Sequence, residues 1–167
     1  RGLWLKEGFA SFFGCFAVED RKPEWNAFAQ ITKGMFGAME TDSHVATHPV
    51  EVEIEDNSKI TQIFDGLCYD KGMAGVFQLF KFLGPEGFRK AISNYLKKYQ
   101  WQGTTTPELW QSLEDTSGKP ISKIMNSFTS LPGYPVVSAS LSDDKKSLKL
   151  SQSRFSFSAP ASAVEDA

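Results

Sequence analysis

The chain has 167 residues and a formal net charge of −2, and 41% of its residues are hydrophobic. That length accommodates one ordinary domain, and so small a charge excludes strong electrostatic attraction to nucleic acid or to an anionic membrane. No apolar run reaches the roughly 18 residues of a membrane-spanning helix. The cysteines, Cys15 and Cys68, lie in apolar helical patterns, so we expect buried free thiols and a reducing compartment, the cytoplasm.

The first segment has the periodicity of a helix that is apolar over most of its circumference. The residues that form this pattern are Leu3, Trp4, Glu7, Phe9, Ala10, Ser11, Phe12, Phe13 and Phe16. Glu7 therefore lies among large apolar neighbours, where a carboxylate without a partner is costly. On the pattern alone two interpretations of Glu7 stay open: one half of a structural ion pair, or a metal ligand.

Five further segments have helical periodicity. They span residues 23–40, 58–83, 86–99, 105–118 and 120–128. Ser58 is a suitable N-cap for the second of these segments, and either Thr105 or Thr106 is suitable for the fourth. Segment 58–83 is interrupted by three glycines, Gly66, Gly72 and Gly75. Each costs about 1 kcal/mol relative to alanine in a helix interior, so we expect a close backbone approach there.

The pattern changes after Leu131. Residues 136–141 and 148–152 alternate at period two around a turn-forming stretch, which predicts a β-hairpin. The last segment, 156–167, is rich in Ser, Ala and acidic residues, and we expect it to be disordered.

The string W-L-K-E-G-F-A-S-F at residues 4–12 resembles the helix that carries the third zinc ligand in the gluzincin zinc aminopeptidases, the family of aminopeptidase N and puromycin-sensitive aminopeptidase. In that family the motif H-E-x-x-H is followed, after eighteen residues, by a glutamate within W-L-N-E-G-F-A. Glu7 matches this glutamate, and Lys6 stands where the family usually has Asn. Lys6 either lowers the proton affinity of the carboxylate or points outward, and the sequence leaves both interpretations open.

A second resemblance concerns Tyr69. The segment I-F-D-G-L-C-Y-D-K-G at residues 63–72 resembles the family's I-F-D-x-I-x-Y-x-K-G-A, whose tyrosine donates a hydrogen bond to the oxyanion formed during hydrolysis. A neutral phenol suits that role. The family separates its glutamate and tyrosine by a little over sixty residues, and here 69 − 7 = 62. Considered alone, Tyr69 is more simply a packed tyrosine with a bonded hydroxyl; the matching separation favours the catalytic interpretation.

The resemblance extends to about residue 152 and implies the fold class. We expect a mainly α chain: the helical second half of a thermolysin-like catalytic domain over residues 1–131, then the first β-hairpin of a β-sandwich domain over residues 132–155. Residues 104–129 resemble a helical scaffold of the family, and H-P-V-E-V at residues 48–52 resembles its S-H-P-I-E-V loop.

Two other stretches imitate functional motifs. G-A-M-E at residues 37–40 resembles the family's amine-binding G-x-M-E-N, but it follows Glu7 instead of preceding it and Thr41 replaces the Asn. His44 and His48 have the i, i+4 spacing of two metal-binding histidines. However, a valine stands where the general-base glutamate must be, and Pro49 disfavours helical backbone at His48. We expect an irregular segment here and no metal role.

The resemblance implies a zinc-dependent enzyme that removes N-terminal residues from peptides, with Glu7 as the third zinc ligand and Tyr69 as a catalytic residue. The implied partners are peptides with a free N-terminus and the upstream half of the same catalytic domain. The H-E-x-x-H motif would precede Arg1, so we expect a piece of a longer protein. One zinc ion would bind in the whole protein, whereas this chain alone would neither bind zinc tightly nor be active. The alternative is a catalytically silent helical interaction module.

Overall fold

The structure, a computed structural model, describes residues 2–54 and 57–157, with the backbone only for residues 57–59. Its α-helices are α1 (Leu3–Arg21), α2 (Ala27–Asp42), α3 (Gly72–Lys98), α4 (Thr106–Ser117) and α5 (Ile121–Ser130). Short 3₁₀ turns at Pro23–Trp25 and Asn57–Ile63 and a π-helix at Leu67–Lys71 join them. Strands β1 (Pro135–Leu141) and β2 (Leu148–Arg154) follow. The predicted mainly α chain with a C-terminal hairpin is confirmed.

The core lies between α1, α3, α4 and α5. Its largest fully buried side chains include Trp4, Phe12, Leu79, Trp110, Leu113, Ile121 and Met125. Phe12, on α1, is at the centre of an aromatic cluster and contacts the rings of Phe13, Phe16, Phe28, Phe77, Phe80 and Phe88. Ring-on-ring packing of this kind buries large apolar areas, which explains how the many phenylalanines contribute to the fold.

Local signals fix the ends of α4 as the sequence predicts. Thr105 forms a capping box with Glu108, whose Oε2 accepts hydrogen bonds from the Thr105 backbone N–H and hydroxyl. Gly118 ends the helix in the left-handed conformation, with φ 67°. Of the two N-cap candidates, Thr105 is therefore the correct one.

The predicted helix over residues 58–83 is wrong in its first half. The chain forms a 3₁₀ turn to Ile63, turns at Asp65, and then forms the π-helix before α3 begins at Gly72. The proposed cap Ser58 is among the residues whose side chains the structure does not describe. The predicted end of a helix at Gly84 appears as an interruption within α3, where Gly84 has φ 73° and ψ 161°.

A close contact between two glycines brings α1 against the start of α3. A Cβ atom added at Gly8 would lie 2.8 Å from the carbonyl carbon of Gly72, well inside van der Waals contact. The expected close approach is thus found at Gly72. At Gly75 a Cβ would lie 2.6 Å from the ring of Phe128, so packing requires glycine at this position, whereas a Cβ at Gly72 would make only ordinary contacts of 3.5 Å or more.

A buried ion pair joins α2 to the end of the π-helix. Lys71 Nζ lies 2.7 Å from Asp42 Oδ2 and donates a second hydrogen bond, of 2.9 Å, to the Gly133 carbonyl. Asp42 Oδ1 accepts hydrogen bonds from the Gly133 backbone N–H and from the Thr47 hydroxyl. Because both charges are paired and hydrogen-bonded, they are tolerated in the interior, where an unpaired charge is not.

The hairpin is antiparallel, with Pro135 opposite Arg154 and Leu141 opposite Leu148. Its side chains are exposed along β1 and most of β2. After β2 the chain returns to the end of α2, where the Phe157 N–H donates to the Ser43 carbonyl. That the hairpin begins a separate β-sandwich domain stays a prediction, and residues 158–167 of the predicted tail lie outside the described residues.

Both cysteines are free thiols, as predicted. Cys68 is buried, whereas Cys15 is partly exposed. Desolvation raises the pKa of Cys68 to about 11, and the nearby charges of Asp65 and Glu7 add to that rise. Burial also raises the pKa of Cys15. Among the residues described, no helix combines the length and the apolar character needed to cross a bilayer.

The glycine contact predicts opposite effects of alanine at two positions of α1. Gly8→Ala should lower the free energy of unfolding by about 1–3 kcal/mol, because the new methyl group overlaps the Gly72 backbone. Gly14→Ala is the matched control, since Gly14 is exposed with no atom within 4 Å of its added Cβ. It should raise the same free energy by about 0.5–1 kcal/mol. Urea denaturation measures both, and equal effects would contradict the close approach.

The raised pKa of Cys68 predicts slow alkylation in the folded chain, because the thiolate is the reactive form. In a Cys15→Ser variant, which retains only Cys68, a thiol reagent should react at pH 8 with roughly a thousandth of the rate of a full thiolate. That rate should rise about tenfold per pH unit until pH approaches 11. Rapid labelling of the folded variant at pH 8 would contradict the assignment, and denaturant supplies the fully reactive reference.

Candidate active site

Glu7 lies in the second turn of α1 with its side chain 13% exposed. Lys6 Nζ is 2.7 Å from Glu7 Oε1, and the Lys6 side chain is 67% exposed. The hydrogen bond to Glu7, followed by the negative charge of Glu7, raises the pKa of Lys6. Lys6 is therefore exposed along its length while its ammonium group turns to the carboxylate. The contact places a positive charge beside the largely buried Glu7 carboxylate.

Tyr69 reaches the same place from the π-helix. Its hydroxyl faces the Glu7 side chain. Desolvation is the main cause of a raised pKa at Tyr69, and the Glu7 side chain is close enough to raise the pKa of the phenol further by its negative charge and by hydrogen bonding. The phenol is therefore neutral, and able to donate, throughout the ordinary pH range. The two predicted site residues, 62 positions apart, meet in the fold.

The glycine contact explains why they meet. Glu7 directly precedes Gly8, and Tyr69 lies three residues before Gly72, so the backbone contact of the two glycines fixes the separation of the two side chains. Lys6 Nζ also lies 5.8 Å from the centre of the Phe64 ring, which in turn is 6.5 Å from the ring of Tyr69. The site is thus a small polar group, formed by an acid, an ammonium and a phenol, beside an aromatic surface.

A zinc ion fits this chain only in part. A carboxylate such as Glu7 is a suitable ligand, but a catalytic zinc site needs three protein ligands. In residues 2–54 and 57–157 no group of three His, Cys, Asp or Glu side chains could hold a metal. The Cys68 thiol, whose pKa is about 11, is protonated at neutral pH and so does not offer a thiolate. The described residues therefore do not complete such a site by themselves.

The histidine pair and the G-A-M-E stretch, which imitate functional motifs, have the following contacts and exposure in the structure. His48 Nε2 lies 2.8 Å from Asp65 Oδ2, and the His44 ring lies 6.1 Å from the ring of Phe157. The segment that carries both histidines is irregular, as predicted. Glu40, of the G-A-M-E stretch, is exposed near the end of α2.

Asp65 is the residue whose role the sequence did not reveal. Its Oδ1 accepts hydrogen bonds from the backbone N–H groups of Leu67 and Cys68, each 3.0 Å long, at the start of the π-helix. An aspartate two or three residues before a helical turn is a recognised capping signal, so this part could have been predicted. Its contact with His48 joins positions 17 apart, and no local pattern indicates it.

Comparison with known proteins gives a consistent result. Residues 1–128 match the Peptidase family M1 domain. The chain is 39% identical over 153 residues to Aminopeptidase M1-C of Oryza sativa subsp. japonica, and 36% identical over 166 residues to Aminopeptidase 2, mitochondrial, of Saccharomyces cerevisiae. It is also 38% identical over 154 residues to Tricorn protease-interacting factor F2 of Thermoplasma acidophilum.

These matches cover 92%, 99% and 92% of this chain, respectively. The chain spans only 17% of the length of the rice and yeast proteins and 19% of that of the archaeal one. It therefore corresponds to a small part of each relative. The family match nevertheless covers most of the chain, and it agrees with the resemblance of the segments around Glu7 and Tyr69. The chain therefore belongs to the peptidase M1 family.

Proposed function

We propose that this chain is part of a zinc-dependent aminopeptidase, to which it contributes one zinc ligand, Glu7, and the phenol that stabilises the oxyanion, Tyr69. The observation that supports this most directly is the proximity of these two side chains, 62 residues apart in the sequence, beside the Gly8–Gly72 contact. The names of the M1-family relatives supply the reaction class, the removal of N-terminal residues from peptides.

Each side chain has a distinct task in this proposal. When bound, zinc lowers the pKa of a water molecule and polarises the peptide carbonyl. Glu7 would hold the metal from α1, and the aromatic and aliphatic packing below that helix would keep the carboxylate in place. Tyr69 donates its hydroxyl hydrogen to the carbonyl oxygen as negative charge develops on it, a contact that strengthens in the transition state.

The remaining ligands and the general base would come from the upstream half of the same catalytic domain. That half and peptides with a free N-terminus are the partners the proposal requires. We place the hairpin, residues 132–155, at the start of the next domain. Two free thiols, Cys15 and Cys68, are consistent with the cytoplasm or another reducing compartment.

Tyr69→Phe in the whole protein tests the role of the phenol. The substitution removes the hydroxyl and retains the ring, so kcat for an aminoacyl anilide should fall by roughly 10²–10³ with little change in KM. Tyr99→Phe is the matched control, because Tyr99 loses the same group at the far end of α3. Its kcat should be unchanged. An unaltered kcat in Tyr69→Phe would remove this residue from the mechanism.

The partial ligand set predicts the behaviour of the isolated 167-residue chain. After dialysis it should retain no stoichiometric zinc and should not hydrolyse the anilide, because one carboxylate is too few ligands. Elemental analysis and an activity assay measure this. One zinc ion per chain that is lost on Glu7→Ala would show that the chain completes a site by itself.

A further inference from the structure

The turn that carries Tyr69 is held at its N-terminal end by a single side chain. Asp65 Oδ1 accepts the backbone N–H groups of Leu67 and Cys68, both at 3.0 Å, and the Asp65 carbonyl accepts that of Tyr69 at 3.1 Å. Asp65 thus accepts hydrogen bonds from three consecutive backbone N–H groups, the last of which belongs to Tyr69. π-Helices are rare and occur frequently at functional sites. The direction in which Tyr69 leaves the backbone therefore depends on Asp65.

Asp65 is in turn held by His48. His48 Nε2 lies 2.8 Å from Asp65 Oδ2, and His48 Nδ1 lies 2.8 Å from the carbonyl oxygen of Pro49. Both oxygens are acceptors, and the ring nitrogen that carries the hydrogen donates to the oxygen beside it. The ring lies between these two oxygens, and the side chains of His48 and Asp65 are each 31% exposed. The carboxylate has one oxygen for the π-helix and the other for the histidine.

His48 lies in an irregular segment after α2, where no helical or sheet hydrogen bonds restrain the chain. The adjacent Pro49 restricts the backbone at this point. Because the adjacent proline restricts the backbone at His48, the His48 side chain is suited to holding the Asp65 side chain in one orientation. Since loss of alignment by about 1 Å can cost roughly a hundredfold in rate, such orientation is of consequence for a phenol that must meet a substrate oxygen.

We propose that His48 is a positioning residue: through Asp65 it holds the π-helix so that the Tyr69 hydroxyl remains at the Glu7 carboxylate. This inference rests on the proposed function, since the contribution of Tyr69 to turnover is what His48 would support. His48 contacts neither substrate nor metal in this role. It acts only through Asp65 and the backbone of the turn.

Two substitutions, His48→Asn and His48→Gln, distinguish the contact of His48 with Pro49 from its contact with Asp65. The two new side chains are amides that differ in length by one methylene group. In His48→Asn the amide can take the place of Nδ1 and reach the Pro49 carbonyl, but it is too short for Asp65. In His48→Gln the amide nitrogen can take the place of Nε2 and restore the donor to Asp65. In the whole protein, His48→Asn should lower kcat about tenfold, the order expected for loss of a hydrogen bond to a charged group, with KM within about twofold.

His48→Gln should recover most of that loss. His44→Ala is the control, because His44 lies in the same segment beside Phe157 and outside these contacts. Its kcat should be unchanged. A general loss of folding would lower kcat in all variants and would not distinguish the two amides.

A double substitution separates positioning from an independent effect. If His48 acts through Tyr69, His48→Asn should have no further effect on kcat in a Tyr69→Phe background, because the hydroxyl it positions is absent. An undiminished tenfold loss there would overturn the inference. So would an unchanged kcat in His48→Asn alone.

Amide exchange provides a readout that does not depend on activity. His48→Asn should accelerate hydrogen–deuterium exchange at residues 67–69 and leave α4 protected, while the zinc content stays the same. Unchanged exchange at residues 67–69 would also overturn the inference. The two proposals fail differently: if Tyr69→Phe leaves kcat unaltered, the proposed function fails, whereas if only the His48 variants have no effect, the positioning role alone fails.

Discussion

The contact of two glycine backbones determines where the chemical groups of this chain lie. Gly8 allows α1 to approach the backbone of Gly72, at the start of α3, more closely than a side chain at position 8 would permit, since a Cβ at Gly8 would lie 2.8 Å from the Gly72 carbonyl carbon. Glu7 and Tyr69 are carried by the residues that flank this contact. A carboxylate and a phenol are therefore brought together by backbone packing that involves neither side chain, and at this distance the carboxylate raises the pKa of the phenol.

The π-helix between those elements is held at both ends. At its start, Asp65 accepts backbone hydrogen bonds and contacts His48. At its end, Lys71 is buried against Asp42 and the Gly133 carbonyl, and its Nζ lies 5.6 Å from the centre of the Phe128 ring. Buried charges of this kind add little net stability but tolerate only one arrangement, because a displaced partner leaves the other charge unpaired. This is a physical reason for a rare helical form to persist beside a candidate active site.

The chemistry of the site follows from its surroundings. Desolvation and the charge of Glu7 both raise the pKa of Tyr69, so the surroundings of the carboxylate also keep the phenol protonated and able to donate. Lys6 adds a positive charge beside Glu7 at the edge of the site. Within the part of the chain that is described, this is an incomplete ligand set, which agrees with a chain that spans about a sixth of the length of its relatives.

The sequence by itself determined what depends on local order. It indicated the capped ends of α4 at Thr105 and Gly118, the hairpin and, through the strings around Glu7 and Tyr69, the family. Periodicity could not distinguish the turns before Gly72 from an ordinary helix, since apolar spacing is nearly the same in both. The glycines of segment 58–83 indicated that another part of the chain packs closely against this segment, but not which part. Only the tertiary structure decided that Gly8 is the neighbour of Gly72, that Lys71 pairs with Asp42, and that His48 contacts Asp65, because such contacts depend on the path of the whole chain and leave no periodic signal in the residues that make them.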